Sequence, residues 1–506
     1  MQKALCLLFY LLVAYCLQAQ VQPAEGASLH YRIIGFSFPR ADKSNNCKLE
    51  IARGNYYSED SFKKNVVITR PCKGNRLIAE VPFFGERYTW RIVYADKRIQ
   101  TDKSELHHFS TGIIPEVDTA NIHLRILKSA SKYKDAYVFL DNSRALYDMK
   151  GNPVWYIPDK LYKTLYPKGT LVAFRDIKLS NRGTITCLLE DKAYEINYNG
   201  DILWQGPNTG QVSGDSIENY HHEFTRLSNG HYMILGKQDA RWSPGSSNKP
   251  DSSLQNIAAN KQKPKLAFGT IIEYDDKGNL VWSWRSLDYF KQADIAYYNT
   301  PTLNIQTIID LHENAFYFDE EQKVVYVSFR NISRVLKIKY PEGTVIGDYS
   351  GYYKPGVFSD TANILFCMQH SIKRSPNGYL YLFDNNSCNQ GLSPKVLVMK
   401  EPGSGKGLLK KIWEYKCVIE DSILTRNTMG GGNVTELTDN SLFVDMGGEY
   451  CKVFIVNRKK QVLWCAMPEK WSHLEKKWCV MNEYRASIIT DHKKLENLIW
   501  GGAGLK

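Results

Sequence analysis

The 506-residue sequence predicts an all-β protein, in which a small N-terminal β-sandwich precedes a six-bladed β-propeller. One supporting pattern is a series of short alternating runs near the N-terminus, separated by turn residues. The other is a turn-and-strand unit that recurs six times farther along the chain. Helical periodicity is scarce, which argues against a coiled coil and against a doubly wound α/β fold.

The predicted sandwich spans residues 28–113. Its alternating runs are "HYRIIGFSF", "KLEIARG", "NVVITRP", "RLIAEVPF", "YTWRIVYAD" and "HHFSTG". Such runs, spaced by turns, are typical of a small antiparallel sandwich. The run around Trp90 is similar to the aromatic strand of fibronectin-like domains. Cys47 and Cys72 lie in neighbouring runs, where a disulfide between them would have a structural role.

The predicted propeller spans residues 120–506. In each copy of its repeat, a turn rich in Gly, Asn or Asp leads into a strand with a large apolar residue, as in "YDMKGNPVW" and "EYDDKGNLVW". The large residues of the six copies are Trp155, Trp204, Trp282, Ile346, Trp413 and Trp464. A single hairpin unit cannot bury both of its faces, so the units are expected to stack around an axis as blades.

The N-terminus and the charge distribution restrict where the protein acts. Met1–Ala19 carries an early lysine, a short apolar run and a small residue at its end, which predicts a cleaved signal peptide and an exported, periplasmic or secreted protein. Tyr15 before Cys16 disfavours a lipoprotein anchor, so no membrane anchor is expected. The net charge of +12 is scattered among 53 acidic residues, so a nucleic-acid partner is not expected either.

The cysteine pattern favours disulfides over metal binding. Of the 11 cysteines, two lie in the predicted signal peptide, and the others contain no CxxC pair, so a zinc knuckle is not expected. Cys367 and Cys388 lie at opposite ends of a predicted hairpin. A disulfide that braces this hairpin is favoured over a cysteine nucleophile, because neither thiol has an assigned base.

Three histidines occupy the same place in the repeat. His222, His312 and His370 each precede a turn by seven residues, the turns beginning at Asn229, Asp319 and Asn377. Equivalent positions in propeller blades have equivalent heights near the axis, so these side chains are expected to converge. His221 falls outside this register. A structural, hydrogen-bonded role for each histidine stays open, although periodic packing alone would favour apolar residues here.

Converging histidines suit either a metal ion or an anion. Three imidazoles can hold a divalent metal. However, Arg330 ends the strand that follows His312, and a fixed cation beside a metal would be repulsive. A guanidinium with several histidines suits an oxyanion such as sulfate or phosphate, because it offers a planar fork of donors. Anion chemistry is therefore favoured, with no metal and no cofactor.

Three segments of the chain resemble the bacterial arylsulfate sulfotransferases. They are "HHEFTRLSNGHYMIL", "DLHENAFYFDEEQKVVYVSFRNISRVLKI" and "MQHSIKRSPNGYLYLFDNN". The resemblance implies a β-sandwich followed by a six-bladed propeller with its site in the central channel. It also implies that His222, His312, Arg330 and His370 form this site. The implied reaction is a ping-pong sulfuryl transfer, independent of nucleotide sulfate donors, through a sulfohistidine.

Within this resemblance, each residue is expected to have a distinct role. His370 is the expected nucleophile, with Asp384 or Asn385 as the residue that orients it. Arg330 and His312 are expected to bind the sulfuryl oxygens. His222 is expected to protonate the leaving phenolate and to deprotonate the incoming phenol.

The aryl groups and the wider partners can also be anticipated. Residues 286–303 carry four aromatic side chains that either stack on substrate or simply pack the insertion: Tyr289, Phe290, Tyr297 and Tyr298. The expected partners are a small aryl sulfate donor and a phenol acceptor, and a homodimer is compatible with the sequence. Two other functions stay open: a noncatalytic propeller that binds an anionic ligand or a protein, and a metal-dependent propeller hydrolase or lyase.

Overall fold

A computed structural model describes the chain in segments. They comprise residues 21–39, 46–94, 105–161, 172–241, 265–290, 308–351, 364–387, 393–403, 408–417, 430–448 and 451–501. The chain divides into two compact units. The first contains residues 1–118, 153–158 and 499–506, and the second contains residues 119–152 and 159–498. The predicted all-β class is confirmed by the element order given below.

Every alternating run predicted near the N-terminus contains a strand of the first unit. These strands are β1 (Ala27–Leu29), β2 (Ile33–Ser37), β3 (Asn46–Arg53), β4 (Val66–Lys73), β5 (Arg76–Glu80), β6 (Arg87–Tyr94) and β7 (His107–Thr111). They form a five-stranded sheet in the order β1-β7-β6-β3-β4 and a two-stranded sheet of β2 and β5. Phe36 of the small sheet packs edge-on against Trp90 of the large sheet, with ring centroids 5.0 Å apart.

A short helix and a disulfide complete this unit. Helix α1 (Glu59–Lys64) begins after Ser58, whose side chain accepts a hydrogen bond from the Ser61 amide, and it buries Phe62. Cys47 and Cys72 face each other across β3 and β4 and form the predicted disulfide. The unit also includes a strand numbered β11 in chain order, Pro153–Tyr156.

Other cysteines fall in the second unit. Cys367 is disulfide-bonded, whereas Cys388 lies outside the described residues, so the predicted Cys367–Cys388 bridge stays a prediction. Among the described cysteines, five are thiols outside any disulfide: Cys187, Cys417, Cys451, Cys465 and Cys479.

The described part of the second unit contains six sheets, which follow one another in chain order and are antiparallel apart from the parallel pairing of β20 with β18. Their strands are β8 (Ile122–Lys128), β9 (Tyr137–Leu140), β10 (Ala145–Asp148), β12 (Phe174–Leu179), β13 (Ile185–Leu189), β14 (Lys192–Ile196), β15 (Ile202–Gln205), β16 (Phe224–Arg226), β17 (Tyr232–Arg241), β18 (Lys265–Tyr274), β19 (Leu280–Arg285), β20 (Ile308–Asp310), β21 (Glu313–Asp319), β22 (Val324–Phe329), β23 (Arg334–Lys339), β24 (Val345–Ser350), β25 (His370–Arg374), β26 (Leu380–Asp384), β27 (Lys395–Lys400), β28 (Lys410–Lys416), β29 (Asn433–Glu436), β30 (Leu442–Asp445), β31 (Val453–Val456), β32 (Val462–Ser472), β33 (Lys477–Val480) and β34 (Ala486–Ile489).

We number these sheets 1 to 6. Within this unit, sheet 1 has the order β10-β9-β34, sheet 2 is β12-β13-β14-β15, and sheet 3 is β16-β17-β18-β19 with β20 beside β18. Sheet 4 is β21-β22-β23-β24, sheet 5 is β25-β26-β27-β28, and sheet 6 is β29-β30-β31-β32-β33 with β8 beside β32. The large residues of the six sequence repeats lie in β11, β15, β19, β24, β28 and β32.

Successive sheets pack face to face through shared apolar clusters. Leu336 of sheet 4 and Leu235 of sheet 3 belong to one cluster, and Leu397 of sheet 5 and Val335 of sheet 4 belong to another. Tryptophans of the last strands add directional contacts to this packing. Trp413 Nε1 donates to the Arg458 carbonyl in the next sheet, at 2.9 Å. Each sheet therefore buries its faces against its neighbours, as isolated hairpin units cannot.

The first and last sheets are joined as well. The late strand β34 pairs with β9 in sheet 1, and the early strand β8 pairs with β32 in sheet 6. Trp464 of sheet 6 donates its Nε1 hydrogen to the Met149 carbonyl in the turn after β10, at 3.1 Å. In the same turn, Gly151 has φ +87°, and a Cβ there would meet the Leu124 carbonyl at 2.1 Å. Only glycine fits this turn, because both the backbone conformation and the available space exclude a side chain.

Beyond helix α1, the described part of the chain contains few helices. Helix α2 (Ser286–Tyr289) follows β19, and helix α3 (His492–Gly501) follows β34. Short 3₁₀ turns lie at Pro115–Val117, Ser131–Tyr133 and Asp159–Leu161. Among the residues that the structure describes, no helix has both the length and the apolar character needed to cross a membrane.

Candidate active site

The structure brings the three repeat histidines into one region from three different sheets. His222 and His312 lie just before β16 and β21, and His370 is the first residue of β25. The rings of His222 and His312 are edge to face, with centroids 5.0 Å apart. Tyr484 bridges the group, because its ring centroid is 5.7 Å from that of His222 and 6.5 Å from that of His370.

Two of these histidines sit on strained backbone. His222 has φ +62° and His312 has φ +58°, in the left-handed region that non-glycine residues rarely adopt. Such a conformation costs about 1–3 kcal/mol and persists where the surrounding structure enforces it. Here the backbone of His312 is tied down, because its carbonyl accepts the Arg330 amide at 2.9 Å. The two histidines therefore share this backbone conformation at equivalent points of two sheets, as do Asp176 and Ser371 in sheets 2 and 5.

A side-chain amide sets the tautomer of His370. The Asn385 Nδ2 group donates to the Gly431 carbonyl at 3.0 Å, so its Oδ1 is the atom that faces His370 Nδ1, at 2.6 Å. His370 Nδ1 must therefore carry a hydrogen, which leaves a lone pair on Nε2. Burial, followed by the charge of Arg330, holds the pKa of His370 well below its ordinary value. The imidazole is neutral, as a nucleophile requires.

Asn385, and not Asp384, is the residue that contacts His370. The Asp384 carboxylate accepts hydrogen bonds from the Cys367 and Asn386 amides, each at 2.9 Å, and lies 3.4 Å from Lys395. Burial raises its pKa to about 6. These contacts lie within and next to its own sheet, so of the two residues predicted to orient His370 it is Asn385 that reaches the ring.

His312 is held by a carboxylate. Asp310 Oδ2 lies 3.1 Å from His312 Nδ1, and Asp310 Oδ1 accepts the His312 amide at 2.7 Å. Although burial opposes it, this contact with His312 lowers the pKa of Asp310. Arg330 lies near this pair and near Tyr484, and burial lowers the pKa of its guanidinium. Of the two residues predicted to bind an oxyanion, Arg330 is a cation, and His312 has its Nδ1 atom in contact with the Asp310 carboxylate.

His222 is held by the neighbouring histidine. The Nδ1 atoms of His221 and His222 are 2.7 Å apart, and His221 Nε2 is 3.1 Å from the Gly236 carbonyl. Burial, followed by the charge of His312, lowers the pKa of His221 to about 4. Burial, followed by His221, places the pKa of His222 well below its ordinary value. Sequence reasoning left His221 outside the site, whereas the structure places it in contact with His222.

Sequence reasoning also missed Tyr484. Its hydroxyl is buried and has no hydrogen-bond partner among the described residues. Arg175 lies over its ring at 4.4 Å, and Arg485 lies at 5.8 Å. Burial raises the pKa of Tyr484, while these two cations act in the opposite direction. An unpaired buried hydroxyl beside His222 and His370 is a donor available to a ligand.

Near the histidines, Arg485 forms hydrogen bonds and ion pairs with residues of several sheets. Its guanidinium lies 3.0 Å from Asp176 Oδ1 and 2.8 Å from Glu223 Oε2, and it donates to the Asn314 carbonyl at 2.6 Å. Lys178 bonds both carboxylates from the other side, at 2.8 and 2.7 Å. No local motif marks this network, because its members come from distant parts of the chain.

A cavity of about 550 Å³ lies beside the histidines. Its size suits a small aromatic ligand. Its lining includes His221, His222, His312, Asp310, Lys237 and Tyr220. His370 is only 1% exposed and is not part of this lining.

The predicted aromatic insertion is described only in part. Tyr297 and Tyr298 lie outside the described residues. Phe290 packs against Phe329 in the core between sheets 3 and 4, with centroids 5.0 Å apart, so its role is packing. Tyr289 donates its hydroxyl hydrogen to Asp348 at 3.0 Å.

The possible donors of the site are three imidazoles, an arginine and the Tyr484 hydroxyl. Within the described segments, no three His, Cys, Asp or Glu side chains are grouped so that they could hold a metal ion. The arginine, the imidazoles and the hydroxyl can donate to a tetrahedral oxyanion, and five carboxylates also line the adjoining cavity: Glu190, Asp191, Asp239, Asp310 and Glu313. The fold and site thus define an all-β protein with a cluster of histidines, an arginine and a tyrosine drawn from several sheets.

The chain belongs to the arylsulfotransferase (ASST) family. The family model matches residues 125–405, which include His222, His312, Arg330 and His370. Membership makes the protein a sulfotransferase with small aryl substrates as a class. It also confirms the resemblance found in the sequence.

Other comparisons add little. No curated protein matches the chain. One matching solved structure is a protein of unknown function from Bacteroides caccae, with 11% identity, a TM-score of 0.40, and coverage of 73% of this chain and 100% of that chain. Another is the periplasmic gluconolactonase PpgL of Pseudomonas aeruginosa, with 9% identity, a TM-score of 0.33, and coverage of 73% and 99%. At these TM-scores the likeness carries no functional argument.

Proposed function

We propose that the protein moves a sulfuryl group from a phenolic sulfate ester to a phenolic acceptor by a ping-pong mechanism, through a sulfohistidine at His370. The observation that carries the proposal is the hydrogen bond from His370 Nδ1 to Asn385, which leaves Nε2 with a free lone pair. No nucleotide sulfate donor, metal or cofactor is part of the reaction.

In the first half-reaction, His370 Nε2 attacks sulfur. A sulfur–nitrogen bond forms as the bond from sulfur to the phenolic oxygen breaks, and the electron pair leaves with that oxygen. The donor is an anion, so its arrival beside His222 raises the pKa of that imidazole and favours its protonation. His222 then supplies the proton to the leaving phenolate. Phenols have pKa values near ~10, so this proton transfer is worth about 10²–10⁴ in rate.

In the second half-reaction, an acceptor phenol replaces the released one. His222 Nε2 removes the phenolic proton while the phenolic oxygen attacks sulfur. The sulfur–nitrogen bond breaks, and its electron pair returns to His370 Nε2. The proton gained by His222 balances the one that it gave to the first phenol, so the complete cycle consumes no acid or base.

The equatorial sulfuryl oxygens carry negative charge throughout both transfers. Arg330, His312 and the Tyr484 hydroxyl are the donors assigned to them. Fixed donors in a dry site stabilise such charge more strongly than water does, and loss of one donor typically costs about 10²–10³ in rate. The unpaired Tyr484 hydroxyl supports this assignment, because a bound oxygen would satisfy it.

The decisive experiment is mass spectrometry of the intact protein after brief, acid-free mixing with a chromogenic aryl sulfate, while phenol release is followed. Wild type is expected to gain the mass of one sulfuryl group and to lose it when a phenol is added. His370→Ala is expected to show neither the adduct nor phenol release. His492→Ala is the matched control, because this histidine is exposed on α3, and it should form the adduct normally.

An adduct that persists in His370→Ala would reject this nucleophile. Phenol release without any adduct, together with a stoichiometric metal in elemental analysis and loss of activity on chelation, would favour the metal-dependent hydrolase instead. Tight binding of an aryl sulfate without turnover would favour the noncatalytic propeller.

The proposed architecture that carries this chemistry is a six-bladed β-propeller, with sheets 1 to 6 as blades, preceded by an N-terminal β-sandwich. It is supported by the chain-order packing of the sheets and by the exchange of β8 and β34 between the last and first sheets. The packing of Phe36 on Trp90 supports the sandwich. We also propose export to the periplasm or medium, which N-terminal sequencing of the mature protein tests.

A further inference from the structure

Each histidine of the candidate site is held by a different kind of partner. His370 has an amide behind it (Asn385), His312 a carboxylate (Asp310), and His222 a second imidazole (His221). A partner on Nδ1 decides which ring nitrogen of the first histidine carries the hydrogen. The chemistry of His222 therefore depends on the protonation of His221.

The hydrogen bonds of His221 determine which of its ring nitrogens carries a hydrogen. The Gly236 carbonyl can only accept, so His221 Nε2, 3.1 Å away, carries a hydrogen. A neutral His221 then has a bare Nδ1, which must accept across the 2.7 Å contact with His222 Nδ1. The hydrogen of a neutral His222 is thus on Nδ1, and its Nε2 is left bare. Nε2 has no partner among the described residues.

We infer that His221 is a positioning residue that holds His222 in the tautomer with a bare Nε2, and so makes His222 the proton acceptor for the incoming phenol. This inference rests on the proposed sulfuryl transfer. With a weakly basic leaving group such as 4-nitrophenolate, departure needs no proton from His222, so the role of His221 is then confined to the second half-reaction. When His222 takes the phenolic proton on Nε2, its Nδ1–H donates to His221, which stabilises the imidazolium without a carboxylate.

The charged groups around His221 and His222 are compatible with a neutral imidazole in both residues. The groups that face His221 are His312, Asp310 and Lys237, and those that face His222 are His221, His312, Arg485 and His370. Most of these are cations or can become so, and both rings are buried. A proton therefore stays on His222 only while an anionic ligand is bound.

The test separates formation of the sulfo-enzyme from its discharge. His221→Leu cannot accept from His222, whereas His221→Gln can accept through Oε1 and still donate to the Gly236 carbonyl. With 4-nitrophenyl sulfate, all three proteins are expected to form the adduct at similar rates. Discharge by phenol is expected to fall by up to about 10²–10⁴ in His221→Leu and to recover largely in His221→Gln. His231→Leu is the matched control, because His231 bonds Glu273 outside the site.

A second readout distinguishes proton transfer from general disruption. The defect of His221→Leu should shrink as the acceptor phenol becomes more acidic, because an ionised acceptor needs no base. Discharge by His221→Leu at the wild-type rate would overturn the inference, and so would an equal loss of adduct formation and discharge. Failure of wild type itself to form an adduct would instead count against the proposed function.

Discussion

At the scale of single residues, His370 differs from the other two histidines in the partner of its Nδ1 atom. Asn385 offers an uncharged oxygen to its Nδ1, and burial and Arg330 lower its pKa. A lowered pKa keeps the lone pair of Nε2 free as the pH falls through about 6.5, where an ordinary histidine becomes protonated. With 4-nitrophenyl sulfate, whose leaving group needs no proton, the rate of adduct formation in wild type is therefore expected to stay level from pH 8 to below pH 6.5.

Replacement of the Asn385 amide with a carboxylate is expected to make the rate of adduct formation depend on pH. In Asn385→Asp, the negative charge favours the imidazolium and raises the pKa of His370. Below the raised pKa, adduct formation is expected to fall about tenfold per pH unit, because only the neutral imidazole reacts. Rapid-mixing mass spectrometry across this pH range measures the effect. Identical profiles for the two proteins would mean that Asn385 does not govern the nucleophile.

The sequence indicates some of these residues and hides others. His222, His312 and His370 are visible because they recur in one repeat frame, and a repeat converts sequence position into spatial position. Tyr484 belongs to no such frame, since the strand that follows it joins sheet 1 from the far end of the chain. The choice between Asp384 and Asn385 likewise depends on side-chain direction, which a sequence pattern does not specify.

At the scale of elements, tryptophans of the last strands link one sheet to the next. Trp464 is fully buried, and its bond to the Met149 carbonyl joins sheet 6 to sheet 1. Trp464→Phe keeps an aromatic ring but leaves that buried carbonyl without its donor. We expect a loss of about 1–3 kcal/mol in the free energy of unfolding, measured as a lower urea midpoint with an unchanged slope.

A matched substitution is available one sheet earlier. Trp413 makes the same kind of bond to the Arg458 carbonyl, but its side chain is only partly buried. Water can replace the lost donor there, so Trp413→Phe is expected to cost less than Trp464→Phe. Equal losses would show that closure between sheets 6 and 1 adds nothing beyond an ordinary contact between sheets.

The sequence predicts the strand that ends each repeat well, but it does not predict how the first and last sheets are joined. The turn pattern identifies the strand that ends each repeat, including β24, where Ile346 replaces tryptophan. Local periodicity is enough for this, because hairpin partners are close in sequence. The pairings of β8 with β32 and of β34 with β9 join the two ends of the unit. No local pattern specifies such partners.

At the scale of the whole second unit, a buried ion network joins the sheets beneath the histidines. Arg485 follows Tyr484 and precedes β34 of sheet 1, and it contacts Asp176 of sheet 2, Glu223 before sheet 3 and Asn314 of sheet 4. Burial and Glu223 raise the pKa of Asp176. Although burial opposes it, Lys178 and Arg485 lower the pKa of Glu223 to about 2.

Removal of this arginine is expected to weaken the unit in a pH-dependent way. Arg485→Met removes the cation that contacts both buried carboxylates and leaves them with Lys178 and the nearby Lys373, which should cost about 3–5 kcal/mol near neutral pH. The lowered pKa of Glu223 stabilises wild type above its unfolded value of about 4.3, and this stabilisation is lost as the pH falls towards about 2. In Arg485→Met the carboxylates protonate at higher pH, so the difference from wild type should shrink as the pH is lowered from 7 to 4. Urea unfolding at both pH values measures it, and a difference that stays constant would mean that Arg485 stabilises the unit by packing rather than by charge.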